Sequence, residues 1–232
     1  MNGELIVVDD LPGAFASQVI ASYENRPEEL FAMALSGGDT ARQCYERLAQ
    51  DGSDAIDWLS VNIYWGDERC VPPDDPDSNQ LLGRQSLLER VGAANAVYPM
   101  NCQDGPDAYQ LRLGEVGKLD LIHLGLGPDG HTASLFPDQS TLGERSRPVV
   151  GVPEAGLEPF VPRVSLTLPA LSQTRQMVFL IAGEGKAEMV ARAFGPDAQP
   201  DPHVPASLLP PLVDELQVLI DPDAARQLPA EG

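Results

Sequence analysis

The residues best suited to acid–base chemistry lie in one glycine-rich loop, residues 125–132. Asp129 and His131 stand two positions apart in this loop. An imidazole beside a carboxylate is a ready general base, because its unperturbed pKa of about 6.5 lies near neutral pH. The alternative is a histidine that only caps or packs the loop.

Three glycines of the same loop, Gly125, Gly127 and Gly130, also satisfy GxGxxG, the dinucleotide-binding fingerprint. That fingerprint belongs to a strand-to-helix turn around a pyrophosphate, whereas here Asp129 would face the phosphates. A nicotinamide-dependent oxidoreductase is therefore not favoured, and no cofactor is expected.

A second loop, residues 36–40, offers backbone rather than side-chain chemistry. Gly37 and Gly38 stand between an apolar strand and a predicted helix, followed by Asp39 and Thr40. Glycines allow close approach of the chain to a ligand, and a helix start presents free N–H groups to a phosphate. The alternative is a tight turn in which Asp39 or Thr40 caps the helix.

Cations are scarce and lie near predicted strand ends. Asp67 and Arg69 follow a strand in a proline-stiffened loop, and Arg163 opens the run 163–168. Lys186, one of two lysines in the chain, stands in a glycine-rich loop before a helix. These side chains could bind a polar, anionic substrate or serve as salt-bridged anchors.

The remaining histidines and the cysteines do not indicate a metal site. His123 lies inside an apolar strand and His203 among prolines, without i, i+4 pairing or CxxC spacing. The cysteines Cys44, Cys70 and Cys102 are odd in number and far apart, so we expect reduced, mostly structural thiols.

The elements that position these loops follow from the apolar pattern. We predict strands at 5–8, 30–35, 61–65, 119–124, 149–152, 164–168, 177–182 and 216–220. Helical spacing of apolar residues predicts helices over 12–25, 41–48 and 187–194. Strands that alternate with helices indicate an α/β fold with a largely parallel sheet, whose ligands bind at the carboxyl ends of the strands.

Charge and length restrict the class further. The chain has 232 residues, with 15 Lys and Arg against 35 Asp and Glu, and a formal net charge of -20. This excess of negative charge disfavours nucleic acid and anionic membranes as partners. No apolar run approaches the ~18 residues that span a bilayer, and residues 1–10 carry no basic leader. We expect one cytoplasmic domain over residues 1–232.

Taken together, the loops resemble the 6-phosphogluconolactonase family over nearly the whole chain. The segments that carry the resemblance are LSGGDT at 35–40, WGDERCVPPDDPDSN at 65–79, HLGLGPDGHTASLFP at 123–137, RVSLTLPAL at 163–171, GEGKAE at 183–188 and VPAS at 204–207. The resemblance implies a modified Rossmann-like α/β fold with helices on both faces of the sheet. It implies hydrolysis of 6-phospho-D-glucono-1,5-lactone without metal or nucleotide.

The resemblance also implies roles for particular residues. His131, supported by Asp129, matches the family's catalytic base, and Arg69 matches an arginine that closes on the substrate. Residues matching the phosphate and sugar contacts are Gly37, Gly38, Thr40, Asp67, Arg163 and Lys186. Asp67 is expected to bind a sugar hydroxyl or to fix Arg69.

Two positions depart from the family pattern, and two other functions stay open. Asp39 replaces the usual Ser and Ala41 the usual Pro at the helix start.

The alternative functions are an amino-sugar-phosphate deaminase or isomerase of the same fold, and a non-catalytic phosphosugar sensor. We expect a small phosphorylated lactone as ligand and a monomer or weak homodimer.

Overall fold

A parallel sheet of seven strands forms the centre of the molecule. The computed structural model describes residues 3–229, and its sheet has the strand order β1-β10-β9-β6-β2-β3-β5. Every pair in this sheet is parallel. The predicted α/β fold with a largely parallel sheet is confirmed. Residues 1–2 and 230–232 of the predicted domain lie outside the described residues.

The strands of residues 3–229 are β1 Glu4–Val7, β2 Phe31–Leu35, β3 Val61–Trp65, β4 Asp67–Arg69, β5 Ala96–Val97, β6 Leu119–Leu124, β7 Val149–Val152, β8 Arg163–Leu166, β9 Thr174–Ile181 and β10 Glu215–Ile220. The helices that flank the sheet or connect its strands are α1 Leu11–Glu24, α2 Asp39–Asp51, α3 Asn79–Gly83, α4 Glu89–Val91, α5 Gly105–Val116, α6 Leu168–Ser172 and α7 Ala187–Phe194. Single helical turns of tighter or wider winding lie at Trp58–Ser60, Arg84–Leu88, Ser140–Gly143, Glu184–Lys186, Pro205–Leu208 and Pro210–Leu212.

The central strands form because most of their residues, on both faces, are apolar. Every residue of β2, β3 and β6 is buried. A strand covered by helices on both sides needs this composition, which is why the sequence located these strands to within a residue or two. Because the strands are parallel, their carboxyl ends meet at one edge of the sheet.

A second, smaller sheet stands above that edge. It is antiparallel, with the order β4-β8-β7, and its centre strand β8 pairs with both neighbours. The Leu166 backbone N–H also donates to the Gly66 carbonyl oxygen at 2.9 Å, where β3 leads into β4. This sheet covers the carboxyl edge of the large one and supplies one wall of the site.

Two cysteines form a disulfide that the sequence analysis does not predict. Cys70, directly after β4, is bonded to Cys102 in the loop before α5, and their Cα atoms lie 5.4 Å apart. The prediction of reduced thiols is wrong for this pair, because the fold brings together residues 32 positions apart. Cys44 is buried and unbonded, and burial raises the pKa of its thiol to about 12.

None of the helices in residues 3–229 combines the length and the apolar composition that a bilayer crossing requires.

Candidate active site

An open cavity at the carboxyl edge of the large sheet gathers most of the predicted site residues. It has a volume of about 220 Å³. Of the nine residues predicted for the site, those that line it are Gly37, Gly38, Asp67, Arg69, His131, Arg163 and Lys186. These residues come from five separate segments of the chain, so their meeting in space is not a consequence of proximity in sequence.

The other two predicted residues lie next to this cavity. Thr40 lines an adjoining cavity of about 300 Å³, which shares Gly37, Gly38 and Lys186 with the first. Asp129 lies behind His131, with its Oδ1 atom 2.5 Å from the imidazole Nδ1. All nine residues therefore belong to one continuous region.

The geometry of His131 fixes which of its nitrogens is free. Asp129 also accepts the backbone N–H of His131 at 3.1 Å. Because a carboxylate can only accept, the imidazole Nδ1 carries the hydrogen of their contact, and Nε2 keeps its lone pair. Burial alone would raise the pKa of Asp129, but the hydrogen bonds and charge of His131 outweigh it and the pKa is lowered. Asp129 is thus an ionised partner at neutral pH.

Glycines allow the loop to fold back on itself around this pair. A Cβ atom at Gly127 would lie 2.0 Å from His131 Nδ1, so no side chain fits there. Gly130 has a φ of +84°, a conformation that favours glycine, and packs against Val204. The 125–130 loop leads into a turn and not into a helix, so it is no dinucleotide fingerprint.

Phe136 connects the histidine to the cationic wall. Its ring centroid lies 4.7 Å from that of His131, and the Arg163 guanidinium carbon lies 5.7 Å from the same ring. Phe136 is buried. Its ring therefore restricts the rotation of His131 and supports Arg163 from below.

Two arginines form the cationic wall. In the register of β4 and β8, Arg69 is paired with Arg163. Arg69 Nη1 donates to the Asp77 carbonyl oxygen at 2.7 Å, and Arg163 Nη2 donates to that of Pro159 at 2.9 Å. The Nε atoms of both arginines are buried without a hydrogen-bond partner in the described residues. Burial, and secondarily the Arg69 charge, lower the pKa of Arg163, while Asp67 opposes them.

Lys186 supplies a third cation from the end of the short turn before α7. It lines both cavities. Burial lowers the pKa of its ammonium group, and the Asp129 charge partly opposes that shift. A partly desolvated cation interacts more strongly with a bound anion than a solvated one does.

The glycine turn presents the start of α2 to the cavities. Gly38 caps the helix with a φ of 100°, and within residues 3–229 this cap has no side-chain hydrogen bond. The alternative in which Asp39 or Thr40 caps the helix is therefore wrong, because the cap lies one residue earlier. The Asp39 side chain is 96% exposed and lies 4.0 Å from Arg42, so its charge is turned towards solvent.

Asp67 is held by residues that the sequence analysis does not single out. Ser134 Oγ donates to Asp67 Oδ2 at 2.5 Å, and Asn79 Nδ2 donates to Oδ1 at 3.1 Å. No ion pair joins Asp67 to Arg69 within residues 3–229, so direct fixation of Arg69 by Asp67 is not seen. Both carboxylate oxygens keep a free lone pair that could accept a sugar hydroxyl.

Glu68 is a further residue without an assigned role in the sequence analysis. It is 3% exposed, and its carboxylate accepts the backbone N–H groups of Arg69, Asn79 and Gln80 at 2.6–2.8 Å. Burial raises its pKa, although these three hydrogen bonds oppose the shift. Glu68 thus closes the 69–79 loop that carries Arg69.

The other histidines have structural environments. His123 is buried in β6, where Nε2 contacts the Tyr45 hydroxyl, and burial lowers its pKa to about 3. His203 lies 2.8 Å from Asp138 on the surface. Among residues 3–229, no cluster of three or more His, Cys, Asp or Glu side chains is arranged to hold a metal ion.

A larger cavity, of about 920 Å³, lies beside α5. Its charged side chains are Asp104, Arg112 and Glu115, and it contains no histidine. Volume alone would favour it, but its lining contains no histidine–carboxylate pair and only one cation against two carboxylates. The smaller cavity at the strand ends is therefore the candidate active site.

The fold and the site together define an α/β protein with a cationic cavity beside a histidine–aspartate pair. Residues 7–218 match the profile of the glucosamine-6-phosphate isomerases/6-phosphogluconolactonase family. The chain belongs to this family.

One relative and two fold neighbours illustrate the match. The 6-phosphogluconolactonase of Synechocystis sp. is 37% identical over 210 residues, which cover 84% of each chain. The crystal structure of 6-phosphogluconolactonase from Leishmania guyanensis superimposes with a TM-score of 0.88 at 23% identity, over 99% of this chain and 100% of that one. A monomeric glucosamine-6-phosphate deaminase superimposes with a TM-score of 0.80 at 19% identity, over 98% and 100% of the two chains. The last two likenesses concern the fold alone.

Proposed function

We propose that this protein hydrolyses 6-phospho-D-glucono-1,5-lactone to 6-phospho-D-gluconate, the second reaction of the oxidative pentose phosphate pathway. One observation carries the proposal: the Asp129-held imidazole of His131 lies in the same small cavity as three cations. The relatives named 6-phosphogluconolactonase support the choice of substrate.

His131 acts as the general base. Its Nε2 lone pair removes a proton from a water molecule as the water oxygen attacks the lactone carbonyl carbon. The tetrahedral intermediate then breaks its bond to the ring oxygen, which receives the proton back from the imidazolium. A lactone is an activated ester, so no covalent nucleophile is required. General bases contribute about 10²–10⁴-fold.

Asp129 and Arg69 stabilise the charges that develop. Asp129 holds the imidazole by its Nδ1–H group and stabilises the imidazolium when the proton is taken. Arg69 lines the cavity, and its Nη2 group, which makes no hydrogen bond within the described residues, can donate to the developing oxyanion. Preorganised donors of this kind act without the reorganisation that water would need.

The phosphate serves as a handle that orients the lactone. Lys186, Arg163 and Thr40 surround the start of α2, where free backbone N–H groups and the helix dipole also favour an anion. Asp67 takes a sugar hydroxyl. Binding energy from this remote group then orients the reacting carbonyl against His131.

The test is a rate assay on freshly generated lactone, with the spontaneous hydrolysis subtracted. Proton release at neutral pH reports the reaction directly. A parallel arm offers glucosamine 6-phosphate and measures ammonia. Lactone hydrolysis without ammonia release supports the proposal, whereas ammonia release without lactone hydrolysis would assign the protein to the deaminase branch of its family.

We also propose that the enzyme works in the cytoplasm as a monomer or weak homodimer. The acidic charge supports a solvated surface, since a large net charge opposes self-association. Sedimentation velocity at micromolar concentrations tests the oligomeric state, and cell fractionation tests the compartment.

A further inference from the structure

Asn79 is the point at which three parts of the site meet. It is the first residue of α3 and is 1% exposed, yet its side chain lines the active-site cavity. Its own backbone N–H donates to Glu68 Oε1 at 2.8 Å. The backbone of Asn79 is therefore fixed before its side chain makes any contact.

The orientation of the Asn79 amide follows from its partners. Nδ2 donates to the Asp67 carbonyl oxygen at 3.0 Å and to the Asp67 carboxylate Oδ1 at 3.1 Å. Both partners can only accept, so the nitrogen must face them. Ser134 holds the other carboxylate oxygen, which leaves the Asp67 side chain no freedom to rotate without losing a hydrogen bond.

The opposite side of the amide faces the glycine turn. Asn79 Oδ1 is buried without a hydrogen-bond partner in the described residues, and a Cβ atom built on Gly37 would lie 1.8 Å from it. The φ of Gly37 lies outside the left-handed region. Contact with Asn79, and not backbone conformation, is thus what excludes a side chain at position 37.

We propose that Asn79 is a positioning residue of the lactone hydrolysis, which sets the distance between the Asp67 carboxylate and the Gly37 turn. This inference rests on the proposed function. The turn contributes to the phosphate site and Asp67 to the sugar-hydroxyl site, so their spacing determines whether a substrate of the right length reaches His131.

The diagnostic variant is Asn79→Asp, because it replaces a donor by a second carboxylate beside Asp67. Two carboxylates at hydrogen-bond distance cannot both ionise at low cost, and they titrate as a pair that shares a proton at lower pH. Activity should fall by about 10–100-fold at pH 8, as expected for misplaced groups. It should recover relative to wild type as the pH falls, because the shared proton restores a hydrogen bond.

The measured quantity is the ratio of N79D to wild-type kcat/KM between pH 5.5 and pH 8. Titratable or charged groups around Asp67 are Glu68 of β4, Arg163 of β8 and Tyr45 of α2. They and His131 are present in both proteins, so their titration largely cancels in the ratio. Asn79→Leu is the matched control, since it keeps the volume without a titratable group. We expect a ratio that rises at least about threefold towards acid pH for N79D and stays flat for N79L.

A double-mutant cycle tests the contact with the turn separately. Gly37→Ala should lower kcat/KM, and the loss should be much smaller in an Asn79→Ala background, where the clashing oxygen is absent. Two outcomes would overturn the positioning role of Asn79 and leave the proposed function intact. One is additive losses in the cycle, and the other is a pH-independent N79D ratio with an active wild type. An inactive wild type in the same assay would overturn the proposed function, and this inference with it.

Discussion

Arg69 of β4 and Arg163 of β8 lie directly opposite each other across an antiparallel pair of strands. Like charges in such positions destabilise a sheet, and both guanidinium groups keep a buried, unpartnered Nε–H. The two guanidinium groups therefore concentrate hydrogen-bond donors and positive charge at one place in an otherwise strongly acidic protein. A bound anion is the natural partner for both.

The first prediction concerns this pair. Inorganic phosphate and 6-phosphogluconate should raise the Tm of the wild type, because ligands that bind only the folded state stabilise it, by about 2.7 kcal/mol at 100 times Kd. Arg163→Met should lose most of this increase. Thermal unfolding with and without ligand measures both effects, and the exposed Arg112→Met of α5 serves as control. An equal increase in Tm for R163M and wild type would contradict an anion site at Arg163.

Lys186 carries the second prediction. Lys186→Met keeps the apolar stem and removes the charge, so KM should rise by about 10–100-fold, the loss expected for a hydrogen bond to a charged group. kcat should change much less. Lys118, the other lysine, is exposed between α5 and β6, and Lys118→Met should leave both constants unchanged. A KM of K186M equal to that of wild type would remove Lys186 from the phosphate site.

Asp129→Asn gives the third prediction. The amide oxygen can still accept the Nδ1–H of His131, but the negative charge that stabilises the imidazolium is gone. We expect kcat to fall by at least about 10-fold, with a smaller change in KM. Steady-state kinetics at pH 7 measure both. If kcat is unchanged, Asp129 only shapes the loop.

The pH dependence of stability follows from the same pair. The pKa of Asp129 is lower in the folded protein than its usual value, so the ionised carboxylate stabilises the fold above about pH 4. That contribution is lost as the pH falls through the folded pKa. The difference in free energy of unfolding between wild type and D129N, measured in urea, should therefore shrink between pH 6 and pH 3. A difference in free energy of unfolding that grows towards acid pH would contradict a lowered pKa of Asp129 in the folded protein.

The disulfide gives a further prediction. The disulfide joins residues 32 positions apart and so lowers the conformational entropy of the unfolded chain. In the chain-entropy treatment this raises the free energy of unfolding by about 3–4 kcal/mol. Reduction, or Cys70→Ser with Cys102→Ser, should lower the Tm by roughly 10 °C for a chain of this size. Cys44→Ser tests whether the redox response depends on the bonded pair: its Tm should still fall on reduction. An unchanged Tm on reduction of the wild type would argue against a bonded pair in solution.

The large sheet could be predicted from the sequence because its strands bury both faces. Runs such as Val61–Trp65 and Leu119–Leu124 are largely apolar, with Asn62, Asp120 and His123 as their polar exceptions, and they appear where predicted. The apolar pattern does not predict β4, because Asp67–Arg69 consists of three charged residues. α5 could not be predicted in this way either, because its stripe of Tyr109, Leu113 and Val116 is short and the apolar Leu111 lies exposed outside it.

The site residues likewise divide into those that could be predicted from the sequence and those that could not. Residues with chemistry of their own, such as His131 and Lys186, could be singled out by type and by their place after strands. Ser134 and Asn79 could not, because a buried polar side chain resembles an exposed one until its partners are known. Their signal in the sequence is only their place within the segments 123–137 and 65–79. The Cys70–Cys102 bond depends on a tertiary contact that no local spacing encodes.

The role of His131 as general base can be measured most directly with His131→Ala and the more conservative His131→Asn. After subtraction of spontaneous hydrolysis, kcat on the lactone at pH 7 should fall by about 10²–10⁴-fold in both. KM should change little, and the circular dichroism spectrum should match that of the wild type. A folded H131A protein that hydrolyses the lactone at nearly the wild-type kcat would contradict the proposed mechanism.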